Sequence, residues 1–248
     1  MKKLGLIGKQ LSHSFSKVYF EEKWMKAGIS DYTYDLFPLP DILMFPALLE
    51  TMPELVGLNV TIPYKEQIIP YLHDLDPTAR ETGAVNCIKV LTDKQLIGYN
   101  TDTFGFQQSI KPFLEPQHDK ALILGTGGAS KAVAFVLKNI GVECFFVSRS
   151  TTAGKSNVFT YDQLNDAMLA HFKLVINTTP VGMYPDVSSC PSVPFESVGP
   201  GHLMYDLVYN PEETEFVKRA RQKGAVAVNG LSMLYHQADK AWEIWTKE

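Results

Sequence analysis

The chain has 248 residues, 45% of them hydrophobic, enough to build one large core or two smaller ones and incompatible with a disordered chain. The formal charge is −4, from 23 basic and 27 acidic side chains, and the basic residues are scattered, which excludes a nucleic-acid stripe or a polybasic membrane segment. Cys87, Cys144 and Cys190 are far apart with no C-x-x-C spacing, which argues against a disulfide framework or a zinc knuckle and for a reducing compartment.

The chain opens with Lys3 to Ile7, which reads as a buried strand. A polar turn from Gly8 to Ser16 follows, then a helix from Lys17 to Ala27 with Gly28 as its C-cap. Tyr32 to Phe37 is a second strand, Pro40 to Met52 a second helix, and Val56 to Val60 a third strand ending in Thr61-Ile62-Pro63-Tyr64-Lys65. This β-α-β-α-β order predicts a parallel sheet whose ligands sit beyond the carboxyl ends of the strands, where the turns after the first and third strands lie. Pro70 to Glu81 reads as a weak helix, and Gly83 to Val90 with Leu96 to Tyr99 as a hairpin closing the first sheet. Asn100-Thr101-Asp102 offers caps for a helix running to Leu114, and the domain boundary is placed near Asp102.

Beyond it, strand and helix alternate again. Lys120 to Leu124 is a strand, Ser130 to Ile140 a helix and Val142 to Val147 a strand. Tyr161 to His171 reads as a helix, Lys173 to Ile176 as a strand, Leu203 to Tyr205 as a strand, Pro211 to Lys223 as a helix and Ala225 to Val228 as a last strand. Gly182 to Gly201, punctuated by prolines, reads as an irregular loop. The helical tail from Ser232 to Lys247 has two placements open to it, finishing the second domain or crossing back to the first. The expected fold class is α/β: a mainly parallel N-terminal domain and a C-terminal Rossmann-type domain. No apolar run approaches the roughly 20 residues that span a bilayer, and Met1-Lys2-Lys3 leads at once into a glycine-broken strand, so a cytoplasmic protein is expected.

Three stretches carry chemistry. The first is Gly125-Thr126-Gly127-Gly128-Ala129, between a strand and a helix: glycines leave room for a phosphate and the opening amides of the helix point at it. Ser130 stands where the strict dinucleotide fingerprint has a third glycine, so on its own the stretch also reads as a plain αβ turn. Second, the following strand ends in Ser148-Arg149-Ser150 rather than in an acid. A guanidinium between hydroxyls suits a ribose 2′-phosphate and points to NADP, against the alternative of a surface arginine; Lys155 adds charge nearby. Third, Lys65 and Asp102 fall at the carboxyl side of the first sheet. Together they read as a proton-transfer dyad, and separately as a surface lysine and a helix cap. Ser12, His13, Ser14 and Ser16 suit a carboxylate or polyol, with a helix N-cap as the other reading, and Asn59, Thr61 and Asn86 are polar groups near strand ends in want of partners. His73, His171 and His202 have no metal-ligand spacing, and no metal site is expected.

Taken together these patterns resemble the shikimate dehydrogenase family. The match runs in order along nearly the whole chain: Ser12 to Ser16 for the serine loop, Asn59-Val60-Thr61-Ile62-Pro63-Tyr64-Lys65 for N-V-T-x-P-x-K, Gly83 to Asn86 for G-A-V-N, and Asn100 to Asp102 for N-T-D. It continues through the G-x-G-G-A turn, Ser148-Arg149-Ser150, Tyr205 to Pro211, Asn229 to Leu234, and Gln237-Ala238. The resemblance implies reversible NADPH-linked reduction of 3-dehydroshikimate to shikimate, in aromatic amino-acid biosynthesis. It implies that Ser14 and Ser16 hold the substrate carboxylate, that Asn59, Thr61, Asn86 and Gln237 contact its hydroxyls, that Tyr209 lies in the same cleft, and that Lys65 and Asp102 are catalytic. It further implies that Gly125, Thr126, Gly127, Gly128 and Ala129 hold the pyrophosphate, Ser148, Arg149 and Ser150 the adenosine phosphate, and Thr179, Leu207 and Gly230 the nicotinamide side. Residues 1–101 would form the substrate domain with the helix 232–248 packed back on it, and residues 102–231 the NADP domain. Lys17 and Gln10 replace usual prolines, Cys87 a usual threonine and Ser148 a usual asparagine, and the segment up to Lys155 lacks the family's second arginine. The departures around Ser148 keep an NAD-preferring quinate or shikimate dehydrogenase in view; a non-catalytic nucleotide-binding relative is a separate alternative, against which the intact Lys65 and Asp102 speak. The expected partner is a small-molecule substrate, with the chain a monomer or homodimer.

Overall fold

A computed structural model describes residues 1–11, 15–150 and 157–247. The chain divides into two compact units, Met1–Thr101 with Ala238–Glu248, and Asp102–Gln237.

The first unit begins with β1 (Lys2–Gly8), α1 (Phe15–Ala27), β2 (Tyr32–Pro38), α2 (Phe45–Thr51) and β3 (Leu55–Val60). A one-turn helix α3 (Tyr64–Gln67), β4 (Asp74–Leu75), α4 (Pro77–Thr82), β5 (Cys87–Val90) and β6 (Leu96–Tyr99) complete it. Its sheet has the order β2-β1-β3-β5-β6-β4. β1 runs parallel to β2 and β3, whereas β5 is antiparallel to both β3 and β6. Strand alternation sends side chains to opposite faces. Leu58 and Ile88, opposite each other on β3 and β5, join Ile7, Val60 and Ile68 in one core, while Cys87, Leu4, Phe20 and Tyr34 form the other with Ala241 and Trp245. The Trp245 indole N–H donates to the Ile88 carbonyl at 2.9 Å, so the polar edge of this large side chain is satisfied where it is buried.

The second unit contains α5 (Thr101–Ile110), β7 (Lys120–Leu124), α6 (Gly128–Asn139), β8 (Glu143–Ser148), β9 (Val158–Thr160) and α7 (Asp166–His171). It continues with β10 (Leu174–Asn177), β11 (Leu203–Asp206), α8 (Glu215–Gln222) and β12 (Val226–Val228) before α9 (Leu231–Thr246). All pairings in its sheet are parallel, in the order β12-β11-β10-β7-β8-β9. Counting from β7, this is the 3-2-1-4-5-6 arrangement of dinucleotide-binding sheets read from the β9 edge. Both faces are covered. Ala121, Ile123 and Ile176 pack with Val133 and Leu137 of α6 on one side; Leu122, Leu124 and Val175 pack with Leu169 and Phe216 on the other. That double burial explains why β7 and β10 read as continuous apolar runs.

The expected fold class matches this architecture. Several boundaries differ for local reasons. The single helix expected over 70–81 is interrupted: Asp76 accepts the Ala79 amide at 2.8 Å and Pro77 occupies the first helical position, so α4 starts afresh there. The helix expected over 161–171 is a 3₁₀ turn closed by Thr160 and Gln163, then α7 capped by Asn165. The helix expected from Pro211 begins at Glu215, because the Thr214 hydroxyl caps the Val217 amide at 3.3 Å.

Candidate active site

In the first unit the polar residues collect after β1 and β3. The Thr61 amide donates to Ile7 O at 2.9 Å, tying the end of β3 to β1, and the Lys65 carbonyl in α3 receives the Val85 amide at 2.7 Å. Lys65 is half-buried. Asn59 is buried, and its amide is oriented from both ends: the Tyr34 hydroxyl donates to Oδ1 at 2.7 Å, and Nδ2 donates to the Asn86 carbonyl at 3.2 Å. Burial drives the Tyr34 phenol well above its usual range, against the opposing pull of a hydrogen bond with Ser16. Tyr34 therefore orients Asn59 from 25 positions away in sequence.

Asn86 is turned the other way. Its Oδ1 accepts the Thr101 amide at 2.6 Å and its Nδ2 donates to the Thr101 hydroxyl at 3.0 Å. Asn100 donates to the Thr82 hydroxyl and the Ala84 carbonyl. The backbone running into Asp102 is thus fixed by two buried amide side chains. Asp102 itself, nearly buried, is the second residue of α5. Gln237 donates to Leu234 O at 3.0 Å within α9, and Tyr209 is partly exposed. Ser12, His13, Ser14 and Lys155 lie outside the described residues.

In the second unit the strand order reverses between β7 and β10, and in sheets of this kind the crevice at that switch point receives the ligand. The glycine turn follows β7 there. Gly125 has φ +111, closed to other residues, and a Cβ on it would stand 2.8 Å from the Thr178 hydroxyl. That hydroxyl donates to Leu124 O at 2.7 Å, so the turns after β7 and β10 are pinned to one another. Asn177 Oδ1 accepts both the amide and the hydroxyl of Thr179, at 3.0 and 2.6 Å. After β11, the Leu207 amide donates to Asn177 O at 2.9 Å and the Gly230 amide to Val208 O at 3.1 Å. A Cβ at Gly230 would lie 2.0 Å from Leu207 O, an approach that only glycine permits. Thr179, Leu207 and Gly230 are therefore assembled around the ends of β10 and β11. Sequence reasoning assigns no role to Asn177 or Asp206, although Asn177 lies two residues before Thr179 and Asp206 lies inside the Tyr205 to Pro211 stretch.

These residues fit a dinucleotide. Gly127 is the N-cap of α6 and brings no side chain to cap it, and among the described residues a Cβ at Gly127 would meet nothing within 4 Å, leaving open space at amides that favour an anion. Arg149 is exposed just past β8, near enough to Tyr161 to counter the burial-driven rise of its phenol. Glu143 stands at the opposite end of the strand, 3.9 Å from Lys120. Among the described residues no group of His, Cys, Asp and Glu is arranged to hold a metal ion, and no helix is long and apolar enough to cross a membrane.

Residues 6–88 match the family model of the shikimate dehydrogenase substrate binding domain. A shikimate dehydrogenase (NADP(+)) of Desulforamulus reducens is 34% identical over 98% of this chain and 89% of its own length. The chain belongs to the shikimate dehydrogenase family. Among solved structures, the enzyme of Thermus thermophilus in complex with NADP(H) and shikimate is 30% identical with a TM-score of 0.86, covering 100% of this chain and 94% of that one. The quinate dehydrogenase of Corynebacterium glutamicum in complex with NAD is 26% identical with a TM-score of 0.88, with the same coverage. Against the family pattern, Lys17 lies in α1 and pairs with Glu21 at 3.8 Å, and Cys87 is a fully buried thiol, pushed far up by burial and chemically quiet.

Proposed function

We propose that this family member catalyses the reversible NADPH-linked reduction of 3-dehydroshikimate to shikimate, a step of aromatic amino-acid biosynthesis. The observation that carries the reading is the phosphate-ready glycine turn at the switch point of the parallel sheet, followed at the end of β8 by Arg149 rather than an acid. An arginine there matches the charge of a 2′-phosphate and lacks the acceptor that a carboxylate offers to the ribose hydroxyls of NAD. Preference for NADP over NAD follows. In the same reading, residues 1–101 with the C-terminal helix hold the substrate, and the Rossmann-type residues that follow hold NADP.

NADPH, when bound, supplies the hydride. As the substrate carbonyl is reduced, the Lys65 ammonium donates a proton to the developing alkoxide, which in a dry site is costly without a donor. Asp102 orients the ammonium and balances its charge, so the donor is in place before the oxygen becomes basic. In the reverse direction neutral Lys65 takes the hydroxyl proton. Ser14 and Ser16 bind the substrate carboxylate, with Asn59, Thr61, Asn86, Tyr209 and Gln237 around its ring. Gly125 to Ala129 take the pyrophosphate, Ser148, Arg149 and Ser150 the adenosine phosphate, and Thr179, Leu207 and Gly230 the nicotinamide. The protein works in the cytoplasm, as a monomer or a homodimer. Steady-state oxidation of shikimate and quinate with each cofactor tests the reading: high kcat/KM with shikimate and NADP supports it, and preference for quinate with NAD overturns it.

A further inference from the structure

Asp206 ends β11 with no exposed surface, and three donors converge on its carboxylate. Asn177 Nδ2 reaches Oδ1 at 2.9 Å, the Val208 amide reaches the same oxygen at 3.0 Å, and the Thr214 hydroxyl reaches Oδ2 at 2.6 Å. Burial pushes the carboxyl up to about 6 in spite of these bonds, and among the described residues the groups that oppose that rise are the neutral Thr214, Val208 and Asn177. A buried carboxylate balanced only by neutral dipoles is an expensive way to close a turn, and such groups cluster at functional sites.

Its neighbours say what it organises. Asn177, held by Asp206 through Nδ2, uses Oδ1 to fix the amide and hydroxyl of Thr179. The Val208 amide, held directly, sets the turn that carries Leu207, and Val208 O receives the Gly230 amide. Thr214 anchors the same carboxylate to the start of α8. One side chain thereby governs the three segments bearing Thr179, Leu207 and Gly230, whereas Arg149 and its flanking serines follow β8, beyond β7 in the sheet.

Resting on the NADP reading above, we infer that the Asp206 carboxylate is a positioning residue for the nicotinamide half of the cofactor site and leaves the adenosine half untouched. Its bonds to Asn177 and Val208 set the two turns that would face the nicotinamide, and its bond to Thr214 ties them to the start of α8.

The test compares NADPH with 2′,5′-ADP, a probe of the adenosine half alone, by titration calorimetry on the full chain. In wild type both bind. In Asp206→Ala the Kd for NADPH is expected to rise about tenfold or more, the effect of losing a hydrogen bond to a charged group, while that for 2′,5′-ADP stays unchanged. Equal losses for the two probes, or no loss for either, overturn the inference. Asp206→Asn covers the case in which the alanine variant fails to fold, since it keeps an oxygen for Asn177 and Val208, a neutral one that accepts more weakly than a carboxylate, and replaces the acceptor for Thr214. It is expected to weaken NADPH and spare 2′,5′-ADP, and wild-type affinity for both contradicts the need for a carboxylate. Wild-type protein that binds neither probe refutes the cofactor reading itself, a result distinct from failure of the inference.

Discussion

The side-chain amide of Asn86 brackets Thr101, accepting its backbone N–H at 2.6 Å and donating to its hydroxyl at 3.0 Å. Both residues are buried, so the bonds form away from competing water. Thr101 is the residue before Asp102, and Asn86 therefore governs where the backbone delivers that carboxylate. Asn86→Ala leaves the Thr101 amide without its acceptor, at about 1–3 kcal/mol. The expected outcome is a lower melting temperature with a fall in kcat on shikimate, read by thermal unfolding and steady-state kinetics. Unchanged values of both remove Asn86 from the support of the site.

Lys65→Ala is expected to lower turnover by several orders of magnitude while NADPH affinity stays near wild type, because the proton donor is lost and the cofactor contacts are not. Calorimetric NADPH binding beside single-turnover rates checks the split. A variant keeping most of its rate eliminates lysine as the proton carrier.

Arg149→Ala should weaken NADPH by roughly 1.5–3 kcal/mol, the range for a charged hydrogen bond, and NADH far less. Dissociation constants for the two cofactors give the answer directly. Parallel losses would mean that Arg149 serves the adenosine in general rather than the 2′-phosphate.

Asp206 also makes a prediction about stability against pH. Its folded pKa of about 6 lies above the ordinary 3.8, so its contribution to stability is full below pH 3.8 and is lost as pH rises through 6. That rise corresponds to roughly 3 kcal/mol. Tyr205 and Cys190, whose titrations respond to Asp206, are held up by burial at about 12 and about 11 and stay neutral in this window. Denaturant unfolding of wild type and Asp206→Asn between pH 4 and 7 should therefore show wild type losing ground to the variant as pH rises. A constant difference would show that the carboxyl keeps an ordinary pKa.

The glycine turn, β7 and α6 were legible because their signals are local: an apolar run, glycines needed for a turn, a periodic helix. Arg149 was legible for the same reason, by its place at the end of the next strand. β4 and β9, of two and three residues, carry too little periodicity to be read and form only because a neighbouring strand offers an edge. Tyr34 and Asp206 escaped notice for a different cause. Tyr34 meets Asn59 across 25 positions and Asp206 meets Asn177 across 29, so their roles exist only once the sheets have assembled. A tyrosine in a strand and an aspartate at its end look ordinary until the partners arrive. The residues proposed to touch ligand thus carry local signals, whereas the side chains that fix the turns around them do not.

The most direct test of the central claim is the shikimate-dependent absorbance assay on purified protein with NADP and NAD side by side. The account predicts rapid NADPH formation with shikimate and a much lower kcat/KM with NAD. No shikimate-dependent signal with NADP, or faster turnover with NAD, would contradict it.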